Sequence, residues 1–306
     1  MASLIECVPN FSEGRRPEVV RQIVDAIGGV RGVALLDHTA DAAHNRSVVT
    51  FAGMPDAVSA GAEEGVRMAL DLIDLRTHSG VHPRIGAVDV VPFVPLDAMP
   101  MAEAVDVARA FAERVAARFD LPVYLYGEAA LRLDRRRLAN VRRGQYEALR
   151  TAIGQDPRRM PDFGPPRLHP SGGAVAVGAR KPLIAFNVNL RTDDLPLAVR
   201  IARAIRESSG GMAAVQAMGV LLEEADGRRT AQVSTNLVDW ERTGLSAVVR
   251  EVRRLARDAG TEIDRYELIG LAPAGALLDL EDEPGVLADL GPDRALEPRV
   301  ARLTQG

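Results

Sequence analysis

Apolar and polar positions along this chain change period several times, and each change marks an element. A short apolar run over residues 3–8 reads as a buried strand, closed by Pro9-Asn10-Phe11-Ser12-Glu13-Gly14. Pro17 opens a helix with Val19, Val20, Ile23, Val24 and Ile27 on one side, and Gly28-Gly29 ends it. Strands follow at 33–37 and 46–51, separated by a polar turn over 38–44. Met54-Pro55 leads into a helix to about residue 72, and 87–94 is a near-continuous apolar strand. The order β-α-β-β-α-β is the split arrangement of ferredoxin-like folds. A helix over 101–119, a strand at 122–126, a basic segment over 132–143 and a helix near 146–153 extend this half.

Between Gln155 and Gly173 the chain carries Pro157, Pro161, Pro165, Pro166 and Pro170 with Gly164, Gly172 and Gly173, a density that breaks both helix and strand. From pattern alone this is an inter-domain linker. The second half then repeats the order, with a strand at 183–189, a helix over 195–208, strands at 215–222 and 231–238, a helix over 245–259 and a strand at 262–269. The expected fold class is α/β (α+β), built from two ferredoxin-like β-α-β-β-α-β subdomains with helices over one sheet face. Paired domains suggest a ligand site between them. The acidic, proline-containing tail after about residue 280 is expected to pack on the surface or fray.

Composition narrows the function. At 306 residues, with 47% hydrophobic and 26% charged, the chain can form two cores. Its net charge of −4 gives no overall attraction to nucleic acid or an anionic membrane, so neither partner is expected and an anionic ligand must meet local groups. Lys181 is the only lysine, a bias that carries no functional weight. A single cysteine, Cys7, excludes an internal disulfide, fits a reducing compartment and reads as a small core hydrophobe. Without a leader pattern or an apolar run near ~18 residues, a cytoplasmic protein is expected.

The five histidines, at 38, 44, 78, 82 and 169, all fall in turns or loops. His82 stands out by its setting, because Gly80, Pro83 and Gly86 restrict or permit backbone geometry around it just before a buried strand. A held loop of this kind suits a general acid or base. His78 and His82 also have the spacing of metal ligands on a helix, but Gly80 and Pro83 oppose a helix and no third ligand is near, so no metal is expected. Neither a G-x-S-x-G elbow nor a phosphate-cradling glycine loop is present, which disfavours serine-nucleophile and nucleotide chemistry. Asp41-Ala42-Ala43-His44-Asn45-Arg46-Ser47 has two readings, a carboxylate contact through Asn45 and Arg46 or a hairpin turn fixed by its Asp and Asn. Glu6 reads as part of a solvated sheet face.

Several stretches together resemble the formiminotransferase family. They are Leu4-Ile5-Glu6-Cys7-Val8-Pro9-Asn10-Phe11-Ser12-Glu13-Gly14, Asn45-Arg46, His82-Pro83-Arg84 with Gly86 and Asp89, and Pro122-Val123-Tyr124-Leu125-Tyr126-Gly127-Glu128-Ala129-Ala130. Further matches are Pro161-Asp162-Phe163-Gly164-Pro165, Gly178-Ala179-Arg180, Leu183-Ile184-Ala185-Phe186-Asn187-Val188-Asn189 and Ala231-Gln232-Val233-Ser234-Thr235-Asn236-Leu237. The likeness covers residues from about 3 to about 280.

The resemblance implies two α/β subdomains whose sheets face a folate-binding tunnel, with boundaries at 1–172 and 173–280 and a variable tail over 281–306. It implies transfer of a formimidoyl group from N-formimidoyl-L-glutamate to tetrahydrofolate, the co-substrate, in histidine degradation, without a metal and with homodimers common. The family's catalytic histidine falls on His82. Its folate-binding segment falls on Asp162, Phe163, Gly164, Pro165, Pro166, Arg167, Leu168, His169, Pro170 and Ser171, which turns the presumed linker into a ligand contact. Both substrates carry carboxylates, and the expected anchors are Asn10, Asp41, Asn45, Arg46, Arg84 and Arg180. The sequence ends before the cyclodeaminase domain fused in some relatives, so the stand-alone form is expected. The alternative is a formyltransferase that moves the formyl group of 5-formyltetrahydrofolate to glutamate at the same site.

Overall fold

The first helix shows how the apolar pattern becomes packing. In α1 (Pro17–Gly28), Val19, Val20, Ile23, Val24 and Ile27 are all buried, and Pro17 occupies the first turn, where its missing N–H removes no helical bond. α2 (Pro55–Leu72) approaches α1 through glycine, since a Cβ on Gly65 would lie 3.0–3.2 Å from Ile27 and Phe11. The computed structural model describes residues 3–42, 44–80, 83–96, 99–223, 227–291 and 293–301. It divides into two compact units, Met1–Arg180 and Lys181–Gly306.

In the first unit, β1 (Ile5–Cys7) and β2 (Asn10–Phe11) both pair with β4 (Arg46–Gly53) on one side and β5 (Val88–Pro95) on the other. They form one strand interrupted at Val8-Pro9, where proline has no N–H to offer a ladder. β3 (Val33–Asp41) pairs antiparallel with the far edge of β4, so β5, β1, β4 and β3 stand in the 4-1-3-2 order of a ferredoxin-like sheet. Two more strands extend it beyond β5. β7 (Val175–Ala179) runs parallel to β5, and β6 (Val123–Gly127) runs parallel to β7. The helices α1, α2 and α3 (Met101–Phe119) join one apolar core. On the opposite face α4 (Leu138–Val141) and α5 (Gln145–Ala152) bring Val141 and Leu149 onto Val90, Tyr124, Tyr126 and Ala176.

Because β7 sits between β5 and β6, the first unit runs to Arg180 rather than stopping at residue 172. The proline-rich segment is no spacer either. Phe163 bridges to Val123 and His169 to Gly173, which weave the segment into the first unit.

The second unit is a four-stranded antiparallel sheet, β11 (Ile263–Ile269), β8 (Ile184–Leu190), β10 (Arg229–Leu237) and β9 (Val215–Glu223) in that spatial order, again 4-1-3-2. Along β8, Ile184, Phe186 and Val188 enter the core, and they meet the buried stripes of α6 (Leu195–Ile205) and α7 (Leu245–Asp258). Asp194 caps α6 by accepting from Leu197 N at 2.9 Å. Of the two outcomes expected for the tail, its described residues show packing. After α8 (Ala274–Leu278), α9 (Pro284–Leu290) and α10 (Leu296–Ala301) bury Val286, Leu290, Leu296 and Val300, and Asp289 accepts from Tyr266 N at 2.9 Å.

Candidate active site

His82 and its neighbour Val81 lie outside the described residues, so the site is defined by the groups on either side of them. Asn45 is the first of these. It adopts a left-handed conformation (φ 49°), which Asn tolerates better than most residues. Its Oδ1 accepts from Gly14 N at 3.0 Å and its Nδ2 donates to Ser79 O at 2.9 Å. One buried side chain thus ties together the exit of β2, the β3–β4 turn and the segment that leads to His82. Gly80 comes so close to this turn that a Cβ would lie 2.5 Å from the His44 carbonyl oxygen.

Arg84 anchors the other side. Its Nε donates to His78 Nδ1 at 2.9 Å and its Nη2 to the His78 carbonyl at 3.2 Å. Since Nδ1 accepts, the hydrogen-bond network places the ring proton on Nε2, which lies 3.1 Å from the Asn45 carbonyl and donates to it. Burial lowers the His78 pKa; the Asn45 carbonyl opposes this and the Arg84 charge adds to it. Arg84 is itself buried, and it pairs with Glu147 at 2.9 Å and reaches Gln145 at 3.4 Å. Both ring nitrogens of His78 are therefore engaged by protein groups, which argues against His78 as a metal ligand. Among the described residues no group of three or more His, Cys, Asp or Glu could hold a metal ion.

The turn between β3 and β4 is closed locally. Asp41 Oδ1 accepts from His44 N at 2.8 Å, while Oδ2 lies 2.8 Å from His44 Nδ1. Arg15 spans the gap by donating to Ala42 O at 2.9 Å and to Ser79 Oγ at 3.3 Å. Glu13 orders the start of this arm by accepting from Arg15 N, Arg16 N and Arg16 Nε.

Along β4, Val49 and Phe51 face the helical core, so strand alternation sends Arg46 to the opposite face. Burial lowers the Arg46 pKa and the nearby Arg142 lowers it further, while Asp89 and Asp41 oppose the shift. Asp89 is almost fully buried. It accepts from Ile85 N at 2.8 Å and makes a charge-assisted bond with Arg142, whose Nε is buried without a hydrogen-bond partner. Further across, Arg180 N donates to Phe93 O at 3.1 Å, and the Arg180 side chain hydrogen-bonds Tyr126. Burial pushes the Tyr126 pKa up, against the pull of Arg180 and Arg142. Arg46, Arg142 and Arg180 thereby form a cationic stretch on this face. Asn10, paired opposite Val48 and Val90, donates its side chain to Val8 O at 3.1 Å.

Glu6 differs from expectation. It is buried, not solvated, because β1 is an interior strand flanked by β4 and β5. Cys7 is a core residue whose thiol burial pushes upward, an effect Glu6 reinforces.

The segment over 162–171 divides into anchored and outward residues. Asp162 Oδ2 accepts from Leu125 N and from Arg135 Nη1, both at 2.7 Å. Arg135 also donates to the carbonyls of Arg158 and Met160 and lies 5.0 Å from the centre of the Tyr124 ring. Phe163 and Leu168 pack on the first core. His169 Nδ1 accepts from Gly172 N at 2.9 Å, and burial lowers its pKa. Ser171 O accepts from Leu75 N at 2.8 Å. Pro165 is half-buried, whereas Gly164, Pro166, Arg167 and Pro170 are exposed, with Arg167 paired to Asp120 at 2.5 Å.

Sequence reasoning missed Arg142, Glu147, Gln145 and Arg135. The basic run over 132–143 was visible, but its spacing carried no sign that Arg142 would meet Asp89 or Arg135 would meet Asp162. Those pairings exist only once β6 and the helices after it are in place.

Two family models match the chain, the formiminotransferase domain N-terminal subdomain over residues 4–180 and the formiminotransferase domain over residues 185–282. A glutamate formimidoyltransferase from Streptococcus pyogenes serotype M1 is 42% identical over 92% of this chain and 93% of its own length. One from Thermoplasma acidophilum is 41% identical over 91% of each chain. The formimidoyltransferase-cyclodeaminase of Rattus norvegicus is 46% identical over 91% of this chain, which spans 52% of that longer protein. With both subdomain models matched in order and the similarity running nearly end to end, the chain belongs to the formiminotransferase family.

Proposed function

We propose that the chain transfers the formimidoyl group of N-formimidoyl-L-glutamate to N5 of tetrahydrofolate, giving 5-formimidoyltetrahydrofolate and L-glutamate, a step of histidine degradation. The observation that carries this reading is the 42% identity to a glutamate formimidoyltransferase over 92% of this chain and 93% of that one. In the reaction N5 attacks the amidine carbon to form a tetrahedral intermediate. N5 then loses its proton, the glutamate nitrogen gains one, and the bond between that nitrogen and the carbon breaks. One imidazole can carry both protons, and an ordinary histidine pKa of about 6.5 suits the task at neutral pH. His82 takes this role, in a segment whose flanks are held by Asn45 and Arg84. No metal is needed.

Arg46 and Arg180, with Arg142 added from the structure, are the proposed carboxylate anchors. They lie on one sheet face with Asn10, where a charge-assisted bond to a carboxylate is favoured. Asp41, Asn45 and Arg84 shape the site, since the polar groups described for them bind neighbouring loops. In the folate segment the exposed Gly164, Pro166, Arg167 and Pro170, with Pro165, contact the co-substrate. Asp162, Phe163, Leu168, His169 and Ser171 hold their backbone. The enzyme works as a cytoplasmic homodimer in this reading, for which the lone buried Cys7 suits a reducing compartment. The test is His82→Ala, expected to lower kcat about 10²- to 10⁴-fold while tetrahydrofolate still binds. Full activity in that variant removes His82 from the chemistry.

A further inference from the structure

Arg84 stands beside the proposed catalytic histidine in sequence and was expected to bind a substrate carboxylate, yet its guanidinium is turned inward. Side-chain exposure is 8%, and its three nitrogens are directed at His78, Gln145 and Glu147. His78 in turn donates to the Asn45 carbonyl, and Asn45 holds Ser79. The chain before and after Val81-His82 is therefore closed by one clamp, Arg84–His78–Asn45. It requires a neutral imidazole, because Nδ1 must keep its lone pair for the Arg84 N–H. A proton on Nδ1 removes that acceptor and sets two cations against each other.

We propose that His78 and Arg84 are positioning residues that tie together the described residues on either side of Val81-His82, and that protonation of His78 opens this clamp and disables the transferase. This rests on the reading of His82 as the proton carrier. Among the described residues, the charged groups acting on His78 are Arg84 and Arg15, which disfavour its protonation, and Glu13, which favours it; Glu147 pairs with Arg84. Burial is the largest influence and lowers the His78 pKa; the Asn45 carbonyl opposes it and the Arg84 charge adds to it, so the ring favours the neutral form the clamp needs. A displacement of about 1 Å at a reacting group costs on the order of 10²-fold in rate, so the clamp acts on kcat.

Steady-state kinetics and imidazole 1H–15N spectra of the full chain test this. Arg84→Ala and Arg84→Lys are expected to lower kcat about 10- to 100-fold with KM for either substrate changed less than about threefold, since a lysine cannot span both His78 acceptors. In His78→Asn the amide oxygen replaces Nδ1 as an untitratable acceptor. That variant is expected to keep kcat within about tenfold of the parent at pH 8 and to lose one proton from the acid limb of the kcat profile. The spectra of the parent chain are expected to show His78 as the Nε2–H tautomer, titrating below the ordinary value. A raised KM at unchanged kcat in Arg84→Lys, an unchanged acid limb in His78→Asn, or an Nδ1–H tautomer each overturns the clamp. An inactive parent, or an active His82→Ala, instead overturns the functional reading, and the spectra still decide the clamp.

Discussion

Replacing Asp162 by alanine separates a scaffold residue from a ligand contact more cleanly than any other change in the folate segment. The carboxylate accepts from Leu125 N and Arg135 Nη1 at 2.7 Å each, and the two side chains are 5% and 7% exposed. Truncation leaves a buried N–H and a buried guanidinium without their shared acceptor. Losing one partner of a buried pair costs about 3–5 kcal/mol. Arg135 keeps two carbonyl acceptors and the Tyr124 ring, which argues for the lower end, about 3 kcal/mol. For a unit of this size that is roughly 6–12 °C in melting temperature. Scanning calorimetry and the KM for tetrahydrofolate, measured on the same preparation, are the assays. We expect a large thermal shift and a KM within about threefold of the parent at temperatures where the variant is folded. Asp162→Leu combined with Arg135→Met removes both charges and is expected to recover at least half of the loss, roughly 1.5 kcal/mol. A shift below about 2 °C together with a tenfold rise in KM refutes the argument and returns Asp162 to the ligand.

Other consequences are as direct. Gly65→Val forces a branched side chain against Ile27 and Phe11, with an expected loss of about 2–3 kcal/mol in urea unfolding. Asn45→Ala removes two buried hydrogen bonds from a left-handed residue and should cost about 2–3 kcal/mol; Asn45→Gly should recover only the backbone part, about 1 kcal/mol. Glu13 has a folded pKa below its ordinary 4.5, because the bonds from Arg16 and Arg15 outweigh the burial that would raise it. Its contribution is therefore complete above pH 4.5 and is lost as pH falls through the depressed value, so Glu13→Gln should flatten the stability profile in that window. Exhaustive dialysis against a chelator should leave the transfer rate unchanged, and a loss restored by zinc would contradict metal-free proton transfer.

Most of the framework was legible in the chain because hydrophobic period alone determines where its helices and half-buried strands lie. The residues of α1 that were spaced for one face, Val19, Val20, Ile23, Val24 and Ile27, are the ones buried. β7 was missed for the converse reason. A short strand buried on both faces has no alternation, and Val175-Ala176-Val177-Gly178-Ala179 comes one residue after Gly172-Gly173, a pair that reads as the end of a linker. The proline-rich segment misled in the same way, since composition reports that regular structure is broken there but not that Asp162 and Phe163 are bound to β6. At the site, the resemblance pointed to His82, while the hydrogen bonds made by the described residues beside it were not readable. Nothing in the spacing of His78 and Arg84 shows that one is the hydrogen-bond acceptor of the other. Arg142 and Asp89 meet only through a fold that brings α4 and β5 together across 53 residues of sequence. The buried Glu6 adds a further case, because an interior strand position overrides what a lone carboxylate in an apolar run suggests.

The identity of the transferred group separates formimidoyl from formyl transfer. Purified chain should be given tetrahydrofolate with N-formimidoyl-L-glutamate and, in parallel, L-glutamate with 5-formyltetrahydrofolate, following the folate product and free or acylated glutamate in each. Turnover of the formimidoyl donor is expected with kcat/KM at least about tenfold above that of the formyl donor, equivalent to about 1.4 kcal/mol of transition-state preference. Preference for the formyl donor, or no release of L-glutamate from the formimidoyl compound, would contradict it.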